Sequence, residues 1–294
     1  MVEVKERLED VGQAQRERLF HIDFRAWFLG RVTRGALIQR FGIKEAAATR
    51  DLALYRHLAP GNLVFEGSEK VYLCSERFRP LFDHPPERTL TAIAEGLGDD
   101  AAGEIGQHVR TERPLRLNQP DIEVIAAVSR AIVERRPLRI DYCSLTSGMG
   151  SREIAPFALV DTGTRWHARA YDRRRGRFLD FVLTRIARAE LLTGAVEPHE
   201  DREADDQWMR VVELELTPHP GLARPDAIEM DYGMTDGVLR TRLRAAVVGY
   251  ALLHWGVDAT PDHALGADRH QLWLRNSPAL YGVENLSIAP GAAG

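Results

Sequence analysis

The sequence predicts an α+β protein assembled from several domains in series. Three observations lead there. The 294 residues suffice for about two domains or three small ones. Apolar residues recur at helical spacing over 16–58 and change to alternation after residue 138. Charge changes along the same divisions: residues 1–82 carry 14 Lys+Arg against 11 Asp+Glu, 83–120 carry 4 against 7, 121–197 carry 13 against 10, and 198–294 carry 8 against 15. These divisions give the expected domains: 1–82, a connector over 83–120, 121–197 and 198–294.

In chain order, residues 16–29 space Leu19, Ile22, Phe24, Trp27 and Phe28 for one buried helical face, and Gly30 ends that helix. Thr33 can cap a short helix over 34–41, closed by Gly42. A third helix is expected over 44–58, with Ile43, Leu52, Tyr55 and Leu58 inward, before Pro60-Gly61 stops it. Residues 62–66 and 70–74 read as strands joined by Gly67-Ser68-Glu69, a hairpin signal. Helix, short helix, turn, helix and hairpin is the order of a winged helix-turn-helix. Pro85-Pro86, Gly96, Gly98, Gly103, Gly106 and Pro114 then divide the connector into short helices.

A helix over 121–135 follows, stopped by Arg136-Pro137, and then strands over 138–144, 153–160, 165–172 and 178–186. One helix followed by closely spaced antiparallel strands suggests a small barrel. The remainder predicts a strand over 208–217, a helix over 239–256 and a short strand over 271–274, an α+β module.

Several function classes find no support. The longest apolar stretch, 245–257, falls short of the ~20 residues that span a bilayer, so no membrane partner is expected. The first ten residues alternate acids and bases instead of forming a signal peptide's apolar core. Cys74 and Cys143 lie far apart without metal or redox spacing, which points to a reducing cytoplasm. Ten histidines are scattered without HExxH or paired Cys/His spacing, and no GxSxG or lysine-bearing glycine loop occurs. No metal, cofactor or catalytic residue is assigned.

Two constellations carry chemistry. The third helix would present Lys44, Ala46, Ala47, Thr49 and Arg50 to a major groove. Arg50 can fork onto guanine, Thr49 can meet a base edge or phosphate, Lys44 suits phosphate, and the alanines permit close approach or contact with a thymine methyl. Ser68 and Lys70 would set the wing on the DNA backbone. Residues 16–82 carry 12 Lys+Arg against 7 Asp+Glu, which favours double-stranded DNA over a purely protein partner. In the barrel, Trp166, Ala168 and Ala170 share one strand face, while His167, Arg169 and Tyr171 share the other. With Tyr142, Ser144, Arg152 and Arg185 they could form a pocket of cationic and hydroxyl donors for a phosphate or nucleotide. The alternative is a solvated sheet face with Arg185 paired to Asp141 or Asp180.

Here the residues carry a resemblance. Ile140-Asp141-Tyr142-Cys143-Ser144, residues 152–156, Arg165-Trp166-His167-Ala168-Arg169-Ala170 and Asp180-Phe181-Val182-Leu183-Thr184-Arg185-Ile186 look like a WYL domain. With the winged helix in front and the α+β module behind, the whole chain resembles WYL-domain transcriptional regulators of the BrxR/CapW type, encoded beside BREX and CBASS anti-phage operons. The runs Phe20-His21-Ile22-Asp23-Phe24-Arg25 and Asp51-Leu52-Ala53-Leu54-Tyr55 are also similar to that group. The resemblance implies a homodimeric DNA-binding repressor, and since one recognition helix covers only a few base pairs, a two-fold dimer is expected to recognise an inverted-repeat operator. Its WYL domain would be an Sm-like β-barrel sensing an anionic ligand such as a nucleotide or single-stranded DNA, and its C-terminal WCX extension would help form the dimer. The family's eponymous Trp-Tyr-Leu reads Trp166-His167-Ala168 here. Leu179 stands where members often have arginine, and Arg177 lies two residues out of register. The rival reading is a nucleic-acid- or nucleotide-processing enzyme using Asp141, His167 and Arg169.

Overall fold

The computed structural model divides the chain into two compact units, Met1–Pro114 and Leu115–Gly294, and describes Leu8 and residues 11–95, 109–112 and 117–292. In the first unit, α1 (Gln13–Leu29) ends at Gly30 in the left-handed region. The Thr33 hydroxyl accepts from the Ala36 amide at 3.1 Å to start α2 (Arg34–Phe41), and α3 (Glu45–Leu58) follows the turn at Gly42. The hairpin of β2 (Leu63–Glu66) and β3 (Val71–Cys74) gains a short strand, β1 (Arg31–Val32), in the order β1-β3-β2. Two residues between Gly30 and Thr33 are too short a run to show alternation, so β1 was not expected. Leu19, Ile22, Leu37, Leu52 and Tyr55 pack as its core. Trp27, expected to be buried, is 42% exposed and stacks on Phe78 instead. The connector contains α4 (Pro86–Glu95); the short helices expected over 96–108 and 113–116 lie outside the described residues.

The second unit opens with α5 (Ile122–Glu134), capped by Asp121 and stopped at Arg135 in the left-handed region. It packs on a sheet ordered β7-β6-β5-β4-β8, built from β4 (Leu138–Ser144), β5 (Gly148–Asp161), β6 (Trp166–Asp172), β7 (Arg177–Val182) and β8 (Ile186–Leu191). The strand expected over 178–186 is thus corrected. β7 ends at Val182 and a 3-10 turn (Leu183–Arg185) leads into β8, because β7 pairs with β6 at one edge of the sheet and β8 with β4 at the other, which one unbroken strand cannot do.

The last module is a sheet ordered β10-β9-β12-β11, from β9 (Val211–Pro218), β10 (Leu239–Arg244), β11 (Val257–Asp258) and β12 (Leu272–Leu274). A helical turn, α6 (Asp206–Met209), precedes it; α7 (Pro225–Asp231) and α8 (Ala245–His254) accompany it. Two expectations are corrected here. Trp208 belongs to α6, not to a strand. Residues 239–244 are a strand before α8: Leu239, Thr241 and Leu243 turn toward the core while Arg240, Arg242 and Arg244 face out. Gly249 of α8 lies so close to the Asn285 carbonyl that an added Cβ would sit 2.0 Å from its oxygen. No helix among the described residues is long and apolar enough to cross a membrane.

Candidate functional site

At the front of α3, Lys44, Ala46, Thr49 and Arg50 are exposed, Ala47 is half-buried, and Ala48 turns into the core. Among the described residues the side chains of Arg50 and Lys44 make no hydrogen bond or ion pair, so both are free to reach outward. Thr49 Oγ1 donates to the Glu45 carbonyl at 3.0 Å, and the Glu45 carboxylate meets Arg34 Nη1 at 2.9 Å. At the wing tip, Lys70 takes a left-handed backbone. The Glu66 carboxylate accepts from the Ser68 hydroxyl at 2.6 Å and from the Ser68 and Glu69 amides, and these bonds hold its carboxyl below the usual range. The Ser68 hydroxyl is therefore engaged within the turn, which leaves Lys70 as the wing's outward donor.

Buried polar groups fix α3 in place. Asp23 of α1 accepts from the Tyr55 hydroxyl, from the Leu81 and Phe82 amides at 3.0 and 3.3 Å, and meets His84 Nε2 at 2.8 Å. Asn62 donates to the Tyr55 hydroxyl at 3.1 Å and to the Arg79 carbonyl at 2.7 Å. Asp51 accepts from Arg18 Nε at 2.6 Å and Gln15 Nε2 at 2.8 Å. The runs around Asp23 and around Tyr55 are thus joined physically. Buried acids are costly unless satisfied, and here each satisfied acid ties α3 to α1.

In the barrel, strand register divides the expected ligand residues. Ile140 pairs with Arg152 and Tyr142 with Gly150, placing Tyr142, Ser144 and Arg152 on the side of Ile140 and Ile154. Ala168 pairs with Phe181 and Arg169 with Asp180, so His167 and Arg169 take the opposite side. Ser144 Oγ lies 3.1 Å from Thr146 Oγ1 and accepts from the Thr146 and Ser147 amides, and Arg152 reaches Ser147 Oγ at 3.4 Å and Asp172 at 3.9 Å. These two form a group of their own beside the β4–β5 turn. Tyr142 is buried in the barrel core; its hydroxyl accepts from the Val182 amide at 3.3 Å.

His167 and Arg169 are buried where the barrel meets the last module. Arg169 forks onto Asp205, Nε to Oδ2 at 2.8 Å and Nη2 to Oδ1 at 3.1 Å, and Nη1 lies 3.3 Å from Asp180. Tyr250 of α8 donates to Asp180 Oδ2 at 3.0 Å and meets His167 edge-on, ring centroids 5.0 Å apart. Burial raises the Asp180 carboxyl despite Arg169 and Tyr250. Burial also lowers His167 to about 4, with Arg165 and Arg185 adding to the effect, and neither ring nitrogen has a hydrogen-bond partner. Arg185 is half-buried in the 3-10 turn; neither Asp141 nor Asp180 pairs with it, since Asp180 is taken by Arg169 and Tyr250. The structure thus gathers His167, Arg169 and Arg185, and leaves Ser144 and Arg152 elsewhere. A cleft of about 410 Å³ beside Arg169 is lined by Tyr171, Arg177, Phe178, His199 and Gln207, and a second of about 290 Å³ also includes Tyr250 and Asn285.

Comparison with known proteins places these features in one lineage. Residues 14–91 match the family described as BrxR transcriptional regulator winged helix-turn-helix domain, 123–191 the WYL domain, and 211–280 the BrxR transcriptional regulator C-terminal dimerization domain. Three curated relatives bear the name DNA-binding transcriptional repressor CapW. The Escherichia coli protein is 31% identical over 92% of this chain and 91% of its own, the Stenotrophomonas maltophilia protein 32% over 88% and 89%, and the Pseudomonas aeruginosa protein 34% over 81% of each. The chain belongs to the BrxR/CapW family of transcriptional regulators.

In this BrxR/CapW-family chain, sequence reasoning missed the acids that complete the site. Asp205 and Glu200 entered only through the acidic balance of residues 198–294, yet both are buried against arginines. Their signal was Glu197, Glu200, Asp201, Glu203, Asp205 and Asp206 crowded between two strand regions, beside a barrel rich in arginine. Asp141, His167 and Arg169 make no hydrogen-bonded constellation: Arg169 is engaged by Asp180 and Asp205, and His167 bonds to neither. Among the described residues no group of three or more His, Cys, Asp or Glu is placed to hold a metal ion.

Proposed function

We propose that this protein is a homodimeric transcriptional repressor, not an enzyme, that binds an inverted-repeat operator in the cytoplasm and responds to an anionic ligand. The observation that carries the reading is the front of α3. An exposed Arg50 stands on a helix anchored through Tyr55 and Asp51 to α1, in a chain whose relatives are named repressors. Residues 1–82 read DNA: Arg50 contacts a base, Thr49, Ala46 and Ala47 lie along the groove edge, and Lys44 and Lys70 hold the backbone, with Ser68 shaping the wing turn that presents Lys70. Residues 83–120 connect, 121–197 sense the ligand, and 198–294 form the dimer.

The ligand set narrows to Arg169, which borders the cleft, with His167 buried two residues before it and Arg185 near His167; Tyr142 belongs to the core on the other face. Fork-shaped guanidinium donors suit a phosphate-bearing ligand, a nucleotide or a short single strand. Ser144 and Arg152 serve the β4–β5 turn instead. An electrophoretic mobility shift with the DNA upstream of the gene tests the regulator reading; failure to shift that DNA in preference to an unrelated duplex contradicts it. Anti-phage genes next to this one would support a defence operon as the target.

A further inference from the structure

Three arginines of the second unit are occupied by three acids from the ten residues over 197–206. Arg169 forks onto Asp205 at 2.8 and 3.1 Å. Arg173, at the β6–β7 turn, forks onto Glu200, Nε to Oε1 at 2.7 Å and Nη2 to Oε2 at 2.8 Å. Arg135, at the end of α5, pairs with Asp201. Two parallel N–H···O bonds per guanidinium is also the arrangement by which arginine recognises phosphate. Glu200 and Asp205 are each about 97% buried, at 3% and 2% exposure. The cleft beside Arg169 nonetheless opens to solvent along Arg177, His199 and Gln207, so a ligand can approach the guanidinium that Asp205 holds.

We infer that the acidic segment over 197–206 is an internal surrogate for the ligand, so that a polyanion and the segment compete for Arg169 and Arg173. The inference rests on the reading that the barrel binds an anion. Competition has two consequences. The apparent affinity for the polyanion is the intrinsic affinity multiplied by the fraction of molecules whose segment is undocked. Binding also frees the segment that leads directly into α6 and β9, so occupancy changes how the barrel is held to the dimerization module. A ligand that meets both arrangements equally would change nothing; displacement supplies the difference.

The test measures fluorescence anisotropy of a short fluorescein-labelled oligothymidylate with the full-length wild type and with Asp205→Asn combined with Glu200→Gln. Both substitutions keep shape and an acceptor oxygen, and asparagine still caps α6. The double variant should bind the probe about tenfold more tightly, a gain of about 1.4 kcal/mol, and adding Arg169→Gln together with Arg173→Gln should cancel it. If the double variant does not fold, Glu200→Gln alone should show a smaller gain that Arg173→Gln cancels. Wild type and variant binding with equal affinity would overturn the surrogate while leaving the anion site standing. No binding by either at low salt would overturn both.

Discussion

Arg50 and Arg169 are the same side chain in opposite circumstances. Arg50 stands exposed and unpaired on α3, whereas Arg169 is 5% exposed and held by Asp180 and Asp205. If Arg50 reads a base bidentately, Arg50→Ala should cost about 1–3 kcal/mol of operator affinity at each half-site and relax preference at that base. Lys70→Ala should weaken all duplexes alike and flatten the salt dependence by about one counterion per wing; competition against random DNA separates the two effects. His167 gives a prediction in pH. Its folded value of about 4 lies below the 6.5 of the exposed ring, so it is neutral in both states at pH 7. As pH falls below about 6.5 the unfolded chain takes up a proton that the folded chain refuses, and stability drops until about pH 4. From pH 7 to pH 5, urea unfolding of the wild type should therefore lose about 2 kcal/mol more than that of His167→Phe. Parallel losses would show that the buried ring is not the cause. Residue types at both sites were legible in the sequence; their partners were not. The acids that occupy Arg169 and Arg173 come from a segment whose docking depends on the folded barrel.

At the scale of elements, local signals made the first unit readable. Thr33 and Gly42 bound α2 at the positions that capping chemistry requires, and the hairpin turn separates β2 from β3. The second unit was readable only where alternation or punctuation was strong. The turn from β7 to β8 is Leu183-Thr184-Arg185, without glycine or proline to mark it. The alternation of β10 runs without a break into the apolar start of α8, so the whole stretch reads as one helix. Strand faces depend on irregularities that sequence does not announce, such as the register shift between Pro156 and Ala158. One close approach is testable directly. Gly249→Ala forces a methyl group onto the Asn285 carbonyl, and backbone cannot yield as a flexible side chain can. The substitution should destabilise the last module by about 3 kcal/mol, seen as a lower urea midpoint for the second unit. An unchanged midpoint would mean that α8 can shift away from Asn285.

For the whole molecule, one recognition helix covers only a few base pairs, and a two-fold dimer presents two of them to a palindromic site. Residues 211–280 match a dimerization domain, so truncation before residue 198 should yield a monomer by sedimentation that binds operator weakly, while the intact chain sediments as a dimer. The most direct measurement is a fluorescence anisotropy titration of the upstream inverted repeat, run with wild type and Arg50→Ala and repeated with one half-site scrambled. The account predicts two protomers per intact repeat, a loss of at least about tenfold in affinity for the scrambled site, and a comparable loss for Arg50→Ala. Equal binding of intact and scrambled sites, with Arg50→Ala indistinguishable from wild type, would contradict it.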